Sequence, residues 1–205
     1  MASVVIPIRV TGSQITESQP ILAPWRLSRY TYGVMRYFAY GSNINLDYLT
    51  DYLSTHGITL DTELGGQQAL LHNFRLRTNY FAGSHGAGAC NIEPAPDHHV
   101  EGVVMSISSA IQDALRVKEG FPLRYHEIEV IVHTAATRAP VRALTYVVTP
   151  AHRLEVDLPV TTRYRALILA GAKHFGFSES YQHELQQRLR TAPSLLPTSS
   201  QNASS

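Results

Sequence analysis

Five runs rich in Val, Ile, Leu and aromatic residues, at 34–40, 69–80, 102–107, 125–133 and 141–149, carry most of the chain up to residue 149, and only two stretches between them have a helical period. Strands that follow one another with helices at irregular intervals do not give the βαβα alternation of a doubly wound parallel sheet. They predict an α+β domain: a mixed sheet closed into a small β-barrel with flanking helices. Leu46, Leu49 and Leu53 recur at helical spacing until Gly57, a stop of the left-handed type. Ser109 and Gln112 match a capping box that opens a short helix with Ile111 and Leu115, halted by Gly120 and Pro122. A longer helix is expected from Thr161 to His174, with Tyr164, Leu167, Ile168 and Gly171 on one face. Ser178 is placed to cap a last one bearing Tyr181, Leu185 and Leu189. Residues 34–190 read as one domain, 1–33 as an N-terminal extension broken by Pro7, Pro20 and Pro24, and 191–205 as a disordered tail too poor in apolar residues to order itself.

The segment Tyr37-Phe38-Ala39-Tyr40-Gly41-Ser42-Asn43 delivers Gly, Ser and Asn from an apolar strand to a turn just before a helix. Such a turn presents free backbone N–H groups with the positive end of the helix dipole behind them, and Gly41 lets a ligand approach the backbone; an amino-acid α-carboxylate suits it. On spacing alone, Ser42 and Asn43 also fit a turn that merely caps the helix. Glu119 falls where a helix ends, which by itself describes a surface acid. Tyr40, Tyr125 and Tyr164 can wall a pocket and donate hydroxyl hydrogen bonds, or pack in a core.

The remaining constellations are weaker. His98 and His99, beside Asp97, are adjacent and would point to opposite faces of a strand, so a solvated loop is expected there and not a metal site. The alternation of Ile128, Val130 and Val132 puts His126 inward and His133 outward, with no joint site. Cys90 has no Cys-His motif around it and reads as a small buried hydrophobe. Gly83, Gly86 and Gly88 match no nucleotide-loop spacing. No metal and no cofactor are expected.

The string Tyr37 to Asn43 resembles the hallmark of the γ-glutamylcyclotransferase family. Gly86 to Pro94 followed by Val100-Glu101-Gly102-Val103-Val104 is similar to that family's Gly-rich approach, Asn-Ile strand and Gly-Val-Val strand, in the same order. Leu115 to Gly120 resembles the Leu-Asp-x-x-Glu-Gly block that ends in the catalytic glutamate, with Tyr125 where the family has its following tyrosine. Tyr164 to Lys173 and Tyr181-Gln182 resemble the terminal helices of the glutathione-pathway members. The resemblance spans about 36–190. It implies the barrel of that family, Glu119 as general acid and base, and a substrate site formed by Tyr40, Gly41, Ser42, Asn43, Tyr125 and Tyr164. The implied reaction converts a γ-glutamyl amide or γ-glutamyl amino acid into 5-oxoproline and a free amine. One position departs: the family aspartate is Arg116, next to Val117 and Lys118. Both cations would favour an ionised Glu119 if they lie close to it, and burial would oppose them.

Seventeen Lys and Arg against sixteen Asp and Glu give a formal charge of +1, without the basic footprint of a nucleic-acid binder. The expected partner is a small-molecule γ-glutamyl substrate, with a homodimer left open. One cysteine cannot form an internal disulfide, the first residues lack a signal-peptide pattern, and no apolar run approaches the ~20 residues of a membrane span. A cytoplasmic, membrane-free protein is expected. Three alternatives stay open: a family member acting on a secondary-metabolite γ-glutamyl conjugate, another rearrangement in the same pocket, and a non-catalytic amino-acid-binding module.

Overall fold

The computed structural model describes residues 35–60, 65–84 and 86–191. The expectations for 1–33 and 192–205 lie outside these residues; Thr191, assigned to the tail, forms a bridge with Val160. Five strands form a closed barrel in the order β1-β3-β2-β4-β5. They are β1 (Met35–Ala39), β2 (Gln67–Ala82), β3 (Ala87–Ile107), β4 (Tyr125–Thr134) and β5 (Pro140–Val148). The β1–β5 pairing, Tyr37 opposite Leu144, is parallel and the others are antiparallel, so the sheet is mixed as expected. Four helices flank it: α1 (Leu46–Ser54), α2 (Ser109–Glu119), α3 (Thr162–His174) and α4 (Glu179–Arg188). Among the described residues no helix is long and apolar enough to cross a membrane.

The elements form where periodicity and caps direct them. Leu49 and Leu53, a turn apart on α1, are fully buried, and Gly57 takes the left-handed φ of 69° beyond the helix end. Ser178 caps α4 through its side chain as expected, and Thr161, expected to begin the longer helix, caps α3. The cap of α2 is Ser108, whose hydroxyl accepts the Ile111 N–H; Ser109 is already helical. Gln112, expected to close a capping box, instead donates to Glu127.

Strand β3 is far longer than the run 102–107. It includes His98 and His99, which are exposed strand residues and not a loop. Between His72/His99 and Phe74/Pro94 the ladder slips, Asn73 facing 95–98, and both Asn73 and Asp97 take positive φ. This bulge accommodates Pro94 and Pro96, which an unbroken ladder would exclude from its centre. His126 and His133 are both half-buried; His133 packs 5.3 Å from the His72 ring, at the short β2–β4 seam, so it does not simply face outward. Buried Asn91 joins three strands: its Nδ2 donates to Asn79 Oδ1 and its Oδ1 accepts the Val148 N–H.

Candidate active site

Strand β1 is buried on both faces, with Tyr37, Phe38 and Ala39 each less than 5% exposed, and it ends at Tyr40 and Gly41. The chain then makes one turn of 3-10 helix, Ser42–Ile44, before Asn45 caps α1 by accepting the Tyr48 N–H. The capping alternative for Ser42 and Asn43 is therefore not realised, and the dipole of α1 starts beyond Asn45. What the turn offers is its own backbone: among the described residues the N–H groups of Ser42 and Asn43 make no hydrogen bond. The turn is fixed from behind by α3. Gly171 lies so close to it that a Cβ there would come within 2.6 Å of Ile44 Cγ1 and 2.8 Å of its carbonyl carbon and oxygen.

Helix α2 ends on Glu119 because Gly120 turns left-handed, with φ of 65°. Its carboxylate accepts a hydrogen bond from Asn43 Nδ2 at 3.1 Å, while the same amide group donates to the Tyr37 hydroxyl at 2.9 Å. Asn43 is 4% exposed, and its Oδ1 is buried without a hydrogen-bond donor. The Lys118 ammonium stands 3.8 Å from Glu119 Oε1 and over the rings of Tyr48 and Tyr52. Of the two cations expected near Glu119, then, only Lys118 reaches it. Arg116 turns to Glu127 and Asp113.

Tyr40, Gly41, Ser42, Asn43, Glu119, Tyr125 and Tyr164 all line one cavity of about 420 Å³. Glu119 is the only carboxylate among its lining residues. The tyrosines wall the cavity with their hydroxyls already engaged. Tyr40 donates to the Tyr146 carbonyl at 2.5 Å, Tyr125 donates to the Cys90 carbonyl at 2.9 Å, and the Tyr164 oxygen accepts the Cys90 N–H at 3.0 Å. Burial, reinforced by neighbouring acidic groups, raises Tyr37, Tyr40, Tyr125 and Tyr164 well above the ordinary phenol range, so they stay protonated and serve as walls and hydrogen-bonding groups, not bases. Cys90 also lines the cavity, but burial pushes its thiol up to about 12, which leaves little thiolate at neutral pH. Among the described residues no group of three or more His, Cys, Asp or Glu side chains is arranged to hold a metal ion.

Sequence reasoning did not assign Tyr37, Tyr80 or Tyr146 to the site, and they line the cavity together with Tyr48, Tyr52 and Arg124. Tyr37 stood within the Tyr37–Asn43 string, and strand period two puts it on the face opposite Phe38. Nothing local marks Tyr80 or Tyr146, whose strands meet this cavity only through barrel closure.

Residues 99–185 match the AIG2-like family. No curated protein matches the chain in sequence. Among solved structures, the chain is similar to a gamma-glutamyl cyclotransferase at 22% identity and TM-score 0.66, over 79% of this chain and 92% of that one. It is similar to an uncharacterised protein from Homo sapiens at 24% identity and TM-score 0.66, over 78% and 90%. It is also similar to a gamma glutamyl cyclotransferase specific to glutathione from yeast at 12% identity and TM-score 0.52, over 76% and 95%.

Proposed function

We propose that this chain, AIG2-like over residues 99–185 and γ-glutamylcyclotransferase-like in fold, cyclises a γ-glutamyl amide to 5-oxoproline and releases the amine. The observation that carries the reading is that Glu119, the only carboxylate lining the cavity among the described residues, is held at 3.1 Å by Asn43 of the Gly-Ser-Asn turn. A γ-glutamyl amide brings its own nucleophile, so the site needs no activated Ser or Cys. It must curl the substrate, remove two protons from the α-nitrogen and deliver one to the departing nitrogen.

In this reading the α-carboxylate rests on the free N–H groups of Ser42 and Asn43. The α-ammonium lies against the Glu119 carboxylate, the acid that lines the cavity beside this turn. Glu119 takes a proton from the ammonium; the freed amine nitrogen bonds to the γ-carbonyl carbon, closing a five-membered ring. The protonated Glu119 then gives that proton to the departing nitrogen as the original amide C–N bond breaks, and the ring nitrogen passes its second proton to the again ionised Glu119, and from there to the released amine or solvent, leaving the neutral lactam. Proximity of amine and carbonyl lowers the barrier, and the positioned carboxylate adds ~10²–10⁴-fold. Arg116, where the family has aspartate, pairs with Glu127 and Asp113 and not with Glu119, so it gives no support to a non-catalytic reading.

The test is Glu119→Gln, assayed by 5-oxoproline release from γ-glutamyl dipeptides, glutathione and γ-glutamyl amines. Turnover should fall at least ~10²-fold with fold and substrate binding retained. Normal turnover by the Gln variant refutes the assignment.

A further inference from the structure

Arg116 is the position at which the chain departs from the family block, and its guanidinium does not face the cavity. It grips Glu127 of β4 with two parallel hydrogen bonds, Nε to Oε1 and Nη2 to Oε2, both 2.8 Å. Its remaining arm donates to Asp113 at 3.2 Å, and the group lies over the Phe121 ring in the turn that follows Glu119. The Glu127 side chain is only 12% exposed and accepts two further hydrogen bonds, from Gln112 Nε2 at 3.1 Å and the Tyr146 hydroxyl at 2.9 Å. Gln112 and Arg116 are four residues apart on α2 and so share the face that meets β4. Glu119 follows three residues after Arg116, in the last turn of the same helix.

From these contacts we infer that Arg116 and Glu127 are positioning residues: a fork-to-fork clamp that fixes the last turn of α2, and with it the Glu119 carboxylate, against the cavity wall. The clamp continues to the other side of the same carboxylate. Tyr146, held by Glu127, packs edge-on against Tyr37 at 5.9 Å and takes the Tyr40 hydroxyl on its carbonyl. Tyr37 in turn accepts from Asn43, which donates to Glu119. The carboxylate is thus set from the helix behind it and from the turn in front of it, and both routes pass through Glu127. A bidentate guanidinium–carboxylate pair fixes direction as well as distance, which a single ammonium contact does not.

The inference rests on the cyclotransferase reading, and the experiment separates the two. Arg116→Met, Arg116→Lys and Glu127→Gln are compared with wild type, with Glu119→Gln, and with Arg142→Met. The last removes an exposed ion pair with Glu129 on the same two strands, away from the cavity. Melting temperature, kcat and KM are measured for each, with 5-oxoproline as the readout. Misplacement of a reacting group by about 1 Å costs on the order of 10²-fold. Arg116→Met should therefore lower kcat about 10- to 100-fold at nearly unchanged KM, Arg116→Lys should fall between it and wild type, Glu127→Gln should follow the same pattern, and Arg142→Met should keep wild-type kcat. If Arg116→Met does not fold, the Lys and Gln variants carry the test. Wild-type kcat in Arg116→Lys and Glu127→Gln, with Glu119→Gln inactive, overturns the clamp while leaving the reaction standing. Full turnover by Glu119→Gln overturns the reaction and the clamp with it.

Discussion

Replacing Gly171 by Ala should destabilise the protein and impair the site together, because the glycine is where α3 rests on the turn that carries Gly41, Ser42 and Asn43. An added Cβ would lie 2.6 Å from Ile44 Cγ1 and 2.8 Å from the Ile44 carbonyl carbon and oxygen. Relaxed contact between carbon atoms needs about 3.5–4.0 Å, so roughly 1 Å of separation must be found. The side-chain tip of Ile44 can rotate away, but its backbone can do so only by moving the turn. Overpacking of this kind costs about 1–3 kcal/mol, whereas Gly→Ala inside a helix returns up to about 1 kcal/mol. With backbone atoms as the obstacle the cost wins, leaving about 1–2 kcal/mol of net destabilisation, or about 2–8 °C in Tm for a chain of this size. A displaced turn also moves Asn43 off Glu119, so kcat/KM for cyclisation should drop by more than the Tm change alone would cause. Gly83→Ala, where a Cβ meets nothing within 4 Å, is the matched control and should be silent. A Gly171→Ala protein that melts at or above wild type with unchanged kinetics would refute the reasoning.

Three other outcomes are expected. A γ-glutamyl substrate whose α-carboxylate is amidated should lose kcat/KM by roughly tenfold to more than a hundredfold, the ~1.5–3 kcal/mol of hydrogen bonds to a charged group, and equal reaction of acid and amide would exclude anion recognition by the Ser42–Asn43 turn. Treatment with a chelator should leave turnover unchanged; loss on chelation with recovery on adding zinc would contradict this. Stability should fall at alkaline pH, because folding raises Cys90 from 9.0 to about 12 and raises the buried Tyr37 and Tyr125 above 10.0, chiefly by burial. Groups neutral when folded and ionised when unfolded contribute stability that is complete below pH ~9 and is lost as the pH climbs through their folded values, by ~1.4 kcal/mol per pH unit for each group. A urea midpoint that is the same at pH ~8 and pH ~10.5 would show that these groups are not withheld from solvent.

What could be read from the sequence was what local chemistry determines. Among the described residues, period-two and period-3.6 patterns located the four α-helices and a part of each strand, though only the end of β3, and Gly120 marked Glu119 as the end of α2. The errors fall where two local signals compete. Ser108 and Ser109 both suit a helix cap, and only the bond to Ile111 decides between them. The polar pair His98-His99 beside Asp97 reads as a solvated loop, yet a bulge against Asn73 lets β3 run through it. The cavity was legible only in part for a different reason. Tyr40 and Asn43 are adjacent to a recognisable turn, but Tyr80 and Tyr146 enter the same wall from strands distant in sequence, through a closure that no residue announces.

The same limit governs the reading of Arg116. Beside Lys118 and one turn before Glu119, it invites an electrostatic role on the Glu119 carboxylate, and a sequence cannot show that Glu127 on the next strand claims it. Glu119 sits at the C-terminal end of α2, where the helix dipole disfavours an anion by about 0.3–1 kcal/mol. Lys118 at 3.8 Å and the Asn43 amide at 3.1 Å offset that penalty without Arg116. An aspartate at position 116 would add a second negative charge to the same turn and would meet Glu127 with like charge. With Glu127 in place, arginine is the residue that both suits the helix end and satisfies the buried carboxylate. Arg116 is therefore half of a pair, and Arg116→Asp alone should lower kcat for 5-oxoproline release and the melting temperature together, not raise either.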